Sequence, residues 1–468
     1  MRSCNANRFH AGLVLAVSLT SLQFVSFIVS YATAHEVNEV NQPGDYSEDV
    51  SSLPGRIFLT LVDDPVIHYA TFQSHNQKVV EAGGLIYISH LRTRNEAYTE
   101  QTWRLSVSKD RGASFKTLAE QTDATNPPVL ECDPQGNLFL IRVDFVSGDA
   151  FLDRWEAGQV RSWAYKDQGK PPTPKTTRIA GGAAGKYAAE IDTARKQLYF
   201  FSHNNTFHRI SLDGTLIDSR QLITAGPHGL LQYPHLSLNP HGQLHLAWTT
   251  QKHGEYLYWD IHHAFSEDGG DSFCSWLPTS DGGRAKLRLP IVADETGDAL
   301  RITLDDEFEV HTWLASGLAT AEHWHGLYLA QTNPVRQHYI RYDLKTGKKQ
   351  IDRYPEVAGE SINLRGLDGY LVSDATDPNR LFVLGNDSGH LACLVSQDAG
   401  QTWHDYARTE DTYGLYSIGG FRRLTSDGAI FGTFTDQQSP EEITDRKSKV
   451  YFFRIEPMDK AESSKNRQ

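Results

Sequence analysis

Side chains that can bind an anion and move a proton stand at the ends of several predicted strands. His75, His90, Arg142 and Tyr187 are the principal members of this set. Imidazole and phenol groups can act as general acids or bases, and a guanidinium can pair with a carboxylate. The residues that we predict to contact substrate at similar positions are Asn76, Arg92, Asn126, His203, Tyr233 and Arg365. If the fold gathers these strand ends, they form a candidate acid–base site for an anionic ligand.

Histidine and aspartate pairs offer an alternative, a metal site. His262 and His263 are neighbours on a predicted strand, so their side chains face opposite sides and cannot easily hold one ion. His323 and His325 share a side if the segment is extended, but two ligands are too few. Asp305–Asp306 could hold calcium or supply a general acid, although a solvated loop pair is the simpler interpretation. We therefore predict no metal and no cofactor.

The elements that would position these residues show a repeated turn. The pattern S-x-D-x-G-x-[ST]-[FW] occurs three times, at 108–115, 266–273 and 396–403, and each copy follows an alternating apolar stretch. The carboxylates of Asp110, Asp268 and Asp398 can accept turn N–H groups, and the glycine takes the positive-φ position. Each copy is therefore predicted to be a hairpin turn between two strands, with its aromatic residue packing back into the sheet layer.

A second, fainter repeat is a turn followed by a strand that starts with an aliphatic residue. It occurs seven times at intervals of 46 to 81 residues, starting at Leu85, Leu138, Leu198, Leu244, Leu300, Leu381 and Ile430. Such units, with hardly any helical period, predict an all-β fold, a seven-bladed β-propeller of four-stranded antiparallel blades over residues 55–456. The long fifth interval predicts an insertion around 322–325. The segment 55–62 should close the ring beside 450–454.

Propeller geometry also predicts where the site lies. The loops that enter strand A and those that leave strand B of each blade open on the same face of the wheel. His75, Asn126 and Tyr187 precede predicted A strands, whereas His90 and Arg142 stand near the ends of predicted B strands. We therefore expect these residues to meet at one mouth of the propeller, which is the default position for a binding site.

Composition limits the classes of partner. The chain has 468 residues with 45 Lys+Arg against 58 Asp+Glu, a net charge of −13, and 39% hydrophobic residues. These values indicate a globular protein and argue against a nucleic-acid partner, because no basic cluster interrupts the acidic balance. An anionic ligand must then be held by local cations, and the predicted partner is an acidic polysaccharide or glycan. Closing the ring removes long unpaired sheet edges, which favours a monomer.

The N-terminal sequence is typical of a secretory signal. Arg2 and Arg8 precede an apolar stretch, and Ala32–Ala34 supplies an A-x-A cleavage site. We predict that residues 1–34 are a signal peptide and that the protein is secreted or periplasmic, with no stable membrane partner after cleavage. An uncleaved membrane anchor is the alternative. Residues 35–54 and 457–468 are predicted to be loose segments, and the remaining cysteines, Cys132, Cys274 and Cys393, to be buried apolar residues rather than disulfide partners.

The three turns and the blade rhythm resemble the sialidase superfamily of Asp-box propellers, also called bacterial neuraminidase repeat proteins. In that superfamily the Asp-box lies on outer hairpins away from the catalytic face, so the resemblance implies a fold more than a chemistry. Sialidases are six-bladed and use an F/Y-R-I-P segment. The nearest segments here are Gly55–Phe58, which lacks the proline, and Leu287–Pro290 in mid-chain.

The first blade resembles that of seven-bladed polysaccharide lyases that cleave uronate polymers such as ulvan. The matching segments are Ser74–Gln77 and Leu85–His90, which carry an H-N…H pattern. The resemblance implies that His75 and His90 flank the substrate carboxylate, that Arg142 binds it, and that Gly185–Tyr187 corresponds to the third-blade Tyr segment. This chain departs at the catalytic Tyr of the second blade, where Ala124 and Thr125 stand, so Tyr187 or Tyr233 would have to replace it.

These observations lead to three functional hypotheses. Elimination across C4 and C5 of a uronate needs donors that neutralise the carboxylate, a base for the α-proton and an acid for the leaving oxygen. His75, His90, Arg142 and Tyr187 could fill those roles without a metal, which makes a polysaccharide lyase the leading expectation. An exo-sialidase-like glycoside hydrolase is the second hypothesis. A non-catalytic propeller that binds a glycan or a protein is the third.

Overall fold

Alternating apolar residues build short antiparallel strands throughout the molecule. The computed structural model describes these residues: 53–73, 75–95, 100–166, 169–181, 185–224, 229–252, 258–280, 283–292, 300–303, 312–330, 336–357, 360–361, 365–438 and 445–458. Seven antiparallel sheets surround a central axis, and the strands of each sheet run from A at the axis to D at the rim. The A strands of successive sheets contact one another around the axis. The predicted seven-bladed β-propeller is therefore confirmed.

The first three blades have four strands each. Blade 1 consists of Val79–Ala82, Leu85–Arg94, Gln101–Ser108 and Lys116–Gln121. Blade 2 consists of Val129–Cys132, Leu138–Val143, Ala150–Trp155 and Lys175–Ala180. Blade 3 consists of Ala188–Asp192, Gln197–Phe201, Thr206–Ser211 and Leu216–Gln221.

Blade 4 has a fifth, short strand at its rim. Its strands are Gly229–Leu238, Leu244–Lys252, Tyr258–Ser266, Cys274–Pro278 and Arg284–Lys286. Blade 5 consists of Thr312–Ala319, His323–Ala330, Arg336–Asp343 and Lys349–Arg353. Blade 6 consists of Arg365–Ser373, Leu381–Asp387, His390–Ser396 and His404–Arg408. Two small pairs join Ile223–Thr224 to Ile291–Val292 and Glu356–Val357 to Glu360–Ser361.

Blade 7 closes the ring with strands from both ends of the propeller. Leu415–Gly420, Ile430–Asp436 and Ser448–Pro457 are its A, B and C strands, and Gly55–Val66 is its D strand. The D strand pairs antiparallel with the C strand, with Phe58 opposite Arg454. This confirms the predicted closure, in which a strand before the first blade completes the last one.

One of the seven predicted unit starts is wrong. Leu300 does not begin a B strand, because its side chain joins an apolar cluster of blades 3 and 4 and its neighbour Arg301 bridges to His262. The B strand of blade 5 is His323–Ala330, so the segment around 322–325 is not an insertion. The extra length lies between blades 4 and 5 instead. The pattern failed here because neither of the first two residues of this B strand, His323 and Trp324, is aliphatic.

The three Asp-box turns connect strands C and D of blades 1, 4 and 6, as predicted. In the first, the Asp110 carboxylate accepts hydrogen bonds from the Ser108 hydroxyl at 2.7 Å and the Ser114 N–H at 2.9 Å. Asp268 and Asp398 make the same pair of contacts in their turns. The box geometry is therefore set by residues within one octamer.

The aromatic residue of each box packs on the preceding blade. Phe115 meets Phe452, Phe273 meets Phe207 and Trp403 meets Tyr339, each edge-to-face with ring centroids 5.2 to 5.6 Å apart. The same three partner rings crowd the box glycines, where any Cβ would come within about 2.5 Å of them. The aromatic residue was predicted to pack into a sheet layer. The structure shows that the layer belongs to the preceding blade, so each box joins two neighbouring blades.

A single described helix, α1 (Ala157–Ala164), interrupts the β structure between strands C and D of blade 2. None of the described helices has the length and hydropathy that crossing a bilayer requires. Cys274 and Cys393 are buried and Cys132 is half-buried, and all three thiols are free. The predicted signal peptide at residues 1–34 lies outside the described residues.

Candidate functional site

The candidate site is built around the segment that enters blade 1. Lys78 is fully buried, and its ammonium group donates to the backbone carbonyls of Gln73 and Asn76. The Asn76 amide in turn donates to the Gln73 side chain at 3.0 Å and to the Tyr187 carbonyl at 2.8 Å. These internal bonds fix a tight loop, and the loop presents the His75 ring toward blades 3 and 4.

The His75 ring meets aromatic residues of blade 4. Its centroid lies 4.5 Å from that of His235 and 6.0 Å from that of Tyr233. Tyr233 has a φ of 49°, and its ring lies tilted against that of Trp313 from blade 5, with the ring centroids 4.0 Å apart. His75 precedes strand A of blade 1, whereas its aromatic neighbours lie within the A strands of blades 4 and 5, so residues of three blades meet near the axis.

The His75 imidazole has one ring nitrogen free for chemistry. The ring hydrogen bonds to the Tyr187 carbonyl, and the buried Nε2 has no partner among the described residues. Nδ1 must therefore carry the proton and Nε2 the lone pair. Burial, followed by the nearby His235, Lys78 and Arg422, lowers the His75 pKa well below its usual value. His75 is thus neutral, and its unpartnered Nε2 can accept a hydrogen bond.

The segment entering blade 3 adds a cation. The Lys186 ammonium lies 5.1 Å from the centre of the Tyr233 ring, and the Lys186 N–H donates to His203 Nδ1 at 3.2 Å. Burial lowers the pKa of Lys186 to about 7. The Asn126 amide holds this segment by donating to the Gly185 carbonyl at 2.8 Å. Gly185 is required because its φ is +117° and a Cβ would stand 2.7 Å from the His203 ring.

Arg422 crosses the axis beneath these residues. Its guanidinium donates to the His75 carbonyl at 2.7 Å, to the Glu190 carboxylate at 2.8 Å and to the Leu236 carbonyl at 2.8 Å. Burial raises the pKa of Glu190, and the charge of Arg422 opposes that rise. One side chain from blade 7 therefore ties together the inner strands or loops of blades 1, 3 and 4.

Arg142 is less available than predicted for a carboxylate-binding residue. It is buried, its Nε donates to Asp153 at 2.6 Å, and its Nη1 pairs with Asp123. The guanidinium also lies over the Phe151 ring. Both ends of the cation are thus engaged by carboxylates of the protein, so binding of a substrate anion would have to compete with them.

His90 and Arg92 belong to a second cluster between blades 1 and 7. His90 Nε2 lies 2.9 Å and Arg92 Nε 2.6 Å from the Asp63 carboxylate, and Arg104 Nη1 lies 3.2 Å from it. His90 is fully buried and its Nδ1 has no partner among the described residues. Within the described part of the chain, no hydrogen bond or ion pair joins this cluster to the His75 ring.

The backbone of Tyr187 lies beside the site, whereas its side chain lies in the core. Its ring is fully buried in the apolar cluster between blades 2 and 3, near Phe200. The hydroxyl has no partner in the described part of the chain, and burial raises its pKa. Arg365 begins strand A of blade 6. Its side chain and the predicted pair Asp305–Asp306 lie outside what the structure describes.

The histidine pairs follow the predicted strand geometry. His262 hydrogen bonds to Thr250, whereas His263 hydrogen bonds to His245 within an aromatic cluster, so the two neighbours face opposite sides. His323 and His325 lie side by side with centroids 5.8 Å apart. No group of three or more His, Cys, Asp or Glu side chains in the described segments is arranged to hold a metal ion.

Sequence reasoning missed the charged residues at the axis. Arg422 and Glu190 lie 232 positions apart in the chain, and neither belongs to a motif. Lys186 entered the prediction only as part of the segment Gly185–Tyr187, not as a site residue. Their positions relative to the A strands could have indicated them, because Glu190 lies in an A strand and Arg422 follows one, and A strands lie closest to the axis.

Comparison with known proteins supports the fold. No family model matches the sequence, and no curated protein is significantly similar to it. An ulvan lyase of polysaccharide lyase family PL25 superposes with a TM-score of 0.56 at 10% identity, covering 83% of this chain and 94% of its own. The polysaccharide lyase Uly1 also gives 0.56 at 10% identity, covering 86% and 99%. Trypanosoma rangeli sialidase gives 0.42 at 9% identity, covering 86% and 56%. At these identities the likeness establishes the propeller architecture alone.

Proposed function

We propose that this propeller is a polysaccharide lyase that cleaves a uronate-containing polymer by β-elimination. The observation that supports this most directly is the His75 ring, whose Nε2 has no hydrogen-bond partner among the described residues. The centroid of this ring lies 6.0 Å from that of Tyr233, and the Lys186 ammonium approaches the same Tyr233 ring at 5.1 Å. A base, a phenol and a cation are the three groups that the reaction needs. An ulvan lyase of the same architecture has been seen bound to a glucuronate–rhamnose sulfate unit.

The reaction assigns one task to each group. Lys186 pairs with the uronate carboxylate and makes the C5 proton more acidic. His75 Nε2 takes that proton, the C4–C5 double bond forms, and the bond from C4 to the glycosidic oxygen breaks. Tyr233 gives its proton to the departing oxygen, and His75 and Tyr233 then recover their starting states by exchange with water. Asn76 and Asn126 hold the backbone that carries these groups.

The test is a screen of uronate polymers for an unsaturated product. The protein is incubated with each polymer, and the ultraviolet absorbance of the 4,5-unsaturated uronate is followed. His75→Ala should abolish the signal, because without the imidazole no base faces the α-proton. Removing a general base commonly costs about 10²- to 10⁴-fold in rate. His241→Ala, which removes an exposed imidazole from a turn of blade 4, is the matched control and should keep full activity.

Other products would identify a different activity. Free sugar released without ultraviolet absorbance would mean a hydrolase of the sialidase type. Glycan binding without any product would favour a non-catalytic propeller, the second candidate. The ion pairs that engage Arg142 and His90 with Asp153 and Asp63 favour that candidate, because they give two predicted catalytic residues a structural role.

We also propose that the chain is exported, as its N-terminal sequence suggests. Cleavage after Ala34 would bring the propeller to the compartment where extracellular polysaccharides are met. Sequencing the N-terminus of the protein recovered outside the cytoplasm tests this directly. A first residue within the apolar stretch, or retention of Met1 in a membrane fraction, would contradict it.

A further inference from the structure

A groove of about 550 Å3 opens beside helix α1 on blade 2. Helix α1 lies between strands C and D, as the Asp-box turns do, whereas His75 and Tyr187 precede A strands. Because successive strands alternate in direction, C–D connections emerge on the face opposite to the D–A connections. The groove is therefore on the other face of the wheel and is separate from the candidate site. Its walls include Gln159, Ser162, Trp163, Lys166, Lys170 and Pro172.

The described lining of the groove contains two lysines and no carboxylate, in a protein whose net charge is −13. Lys166 and Lys170 are exposed on its wall. Lys116 adds a third ammonium, which lies 4.0 Å from the centre of the Trp163 ring and donates to the Lys166 carbonyl at 3.2 Å. None of these three lysines forms an ion pair with a carboxylate of the described chain, whereas Arg92, Arg142, Arg209 and Arg220 all do.

The remaining lining suits a sugar chain. The Trp163 indole N–H donates to the Gly169 carbonyl at 3.1 Å, which fixes the ring as an apolar part of the wall. Gln159 and Ser162 are exposed and supply amide and hydroxyl groups. Carbohydrates present apolar C–H faces together with hydroxyls, and an acidic carbohydrate adds carboxylates or sulfates. Apolar, hydrogen-bonding and cationic groups that lie together match all three features.

We propose that this groove is a second binding site, which holds a carboxylated or sulfated polysaccharide with its anionic groups on Lys166 and Lys170. A nucleic acid fits less well, because a duplex carries a continuous line of phosphates and needs a longer basic track than three lysines in an acidic protein. The site would keep a polyanionic chain attached to the protein whether or not the candidate site at the axis is occupied. It does not depend on the proposed lyase activity.

The experiment is affinity electrophoresis in native gels that contain a polyuronate, a sulfated polysaccharide or a neutral glucan. The wild-type protein should be retarded by the two anionic polymers and should migrate freely in the glucan. K166A/K170A should weaken the retardation about tenfold at low salt, because two ion contacts are lost. Loss of retardation in His75→Ala together with unchanged retardation of K166A/K170A would place the binding at the axis rather than in the groove.

The matched control removes two lysines from the same face. Lys345 and Lys348 are exposed in the C–D turn of blade 5, so K345A/K348A changes the net charge equally and should leave the retardation intact. Equal loss in both double variants would reduce the effect to net charge and overturn the proposal. Unchanged retardation of K166A/K170A would also overturn it. Stronger retention of duplex DNA than of either polysaccharide through the same lysines would mean that the ligand class is wrong.

Discussion

At the scale of single residues, Lys186 makes anion binding depend on pH. Burial lowers the pKa of its ammonium group to about 7, and a bound uronate carboxylate would favour the charged form. Below pH 7 the cation is already present, whereas above it binding must take up a proton. We therefore predict that affinity for a uronate oligosaccharide is highest below pH 7 and falls up to about tenfold per pH unit above it.

Calorimetric titration from about pH 6 to about pH 9 measures this dependence. Lys186→Arg keeps a charge throughout that range, so its affinity should stay nearly constant. Lys186→Met should bind weakly at every pH. A wild-type affinity that does not change with pH would exclude Lys186 as the residue that pairs with the carboxylate.

Loss of the Arg422 side chain should weaken contacts between several blades at once. Arg422→Met removes the bonds to Glu190, His75 and Leu236 and leaves the Glu190 carboxylate buried without its cation. Breaking a buried pair in this way commonly costs about 3–5 kcal/mol in the free energy of unfolding. Urea unfolding measures the loss. Arg161→Met alters an exposed arginine of helix α1 and should cost about 0.5 kcal/mol or less.

At the scale of structural elements, the Asp-box turn connects neighbouring blades. Trp403 is buried, and its ring meets Tyr339 of blade 5 at 84°. Trp403→Ala should lower the free energy of unfolding by about 3–5 kcal/mol, because it leaves a cavity between two blades. Thermal and urea unfolding check this value, and Trp403→Phe should recover much of it. A loss below about 1 kcal/mol would mean that the ring contact does not hold the blades together.

Local elements were predictable because their determinants are close together in the sequence. The Asp-box is fixed by contacts within eight residues, so the octamer pattern alone was enough to place Asp110, Asp268 and Asp398 in turns. The B strand of blade 5 was missed because its first two residues, His323 and Trp324, are not aliphatic. The blade count survived this error because each of the other six leucine or isoleucine residues lies at the first or second position of a B strand.

The site was predictable only in part because its contacts join distant positions in the sequence. His75 and Asn76, which precede strand A of blade 1, contact the Tyr233 ring in strand A of blade 4 and the backbone of Tyr187 before strand A of blade 3. No local pattern could show that carboxylates of the protein would engage Arg142 and His90. Ion pairs of this kind depend on the twist and spacing of whole blades, which the sequence specifies only through the complete fold.

At the scale of the whole molecule, the candidate site and the proposed groove lie on opposite faces of the ring. The D–A connections gather the candidate acid–base groups, whereas the C–D connections carry the Asp-boxes and the cationic groove. A closed ring holds both faces in place, so weakening its closure should disturb the candidate site and the groove together. That closure depends on strand Gly55–Val66, which pairs within blade 7 and contacts blade 1 through the side chain of Asp63.

Asp63 should make ring closure sensitive to acid. Burial alone would raise its pKa, but hydrogen bonds from His90 and Arg92 and the charge of Arg104 outweigh it and lower the pKa from 3.8 to about 2. A carboxylate with a lowered pKa stabilises the fold above its unfolded pKa, and this contribution disappears as the pH falls toward 2. The shift corresponds to about 2 kcal/mol.

We therefore expect the free energy of unfolding of the wild type to fall by about 2 kcal/mol more than that of Asp63→Asn between about pH 5 and about pH 2. Urea unfolding at a series of pH values measures both curves. Asp64→Asn, which removes the exposed neighbouring carboxylate, is the matched control. Parallel curves for the wild type and Asp63→Asn would mean that the charge of Asp63 does not hold the first and last blades together, and that strand pairing alone closes the ring.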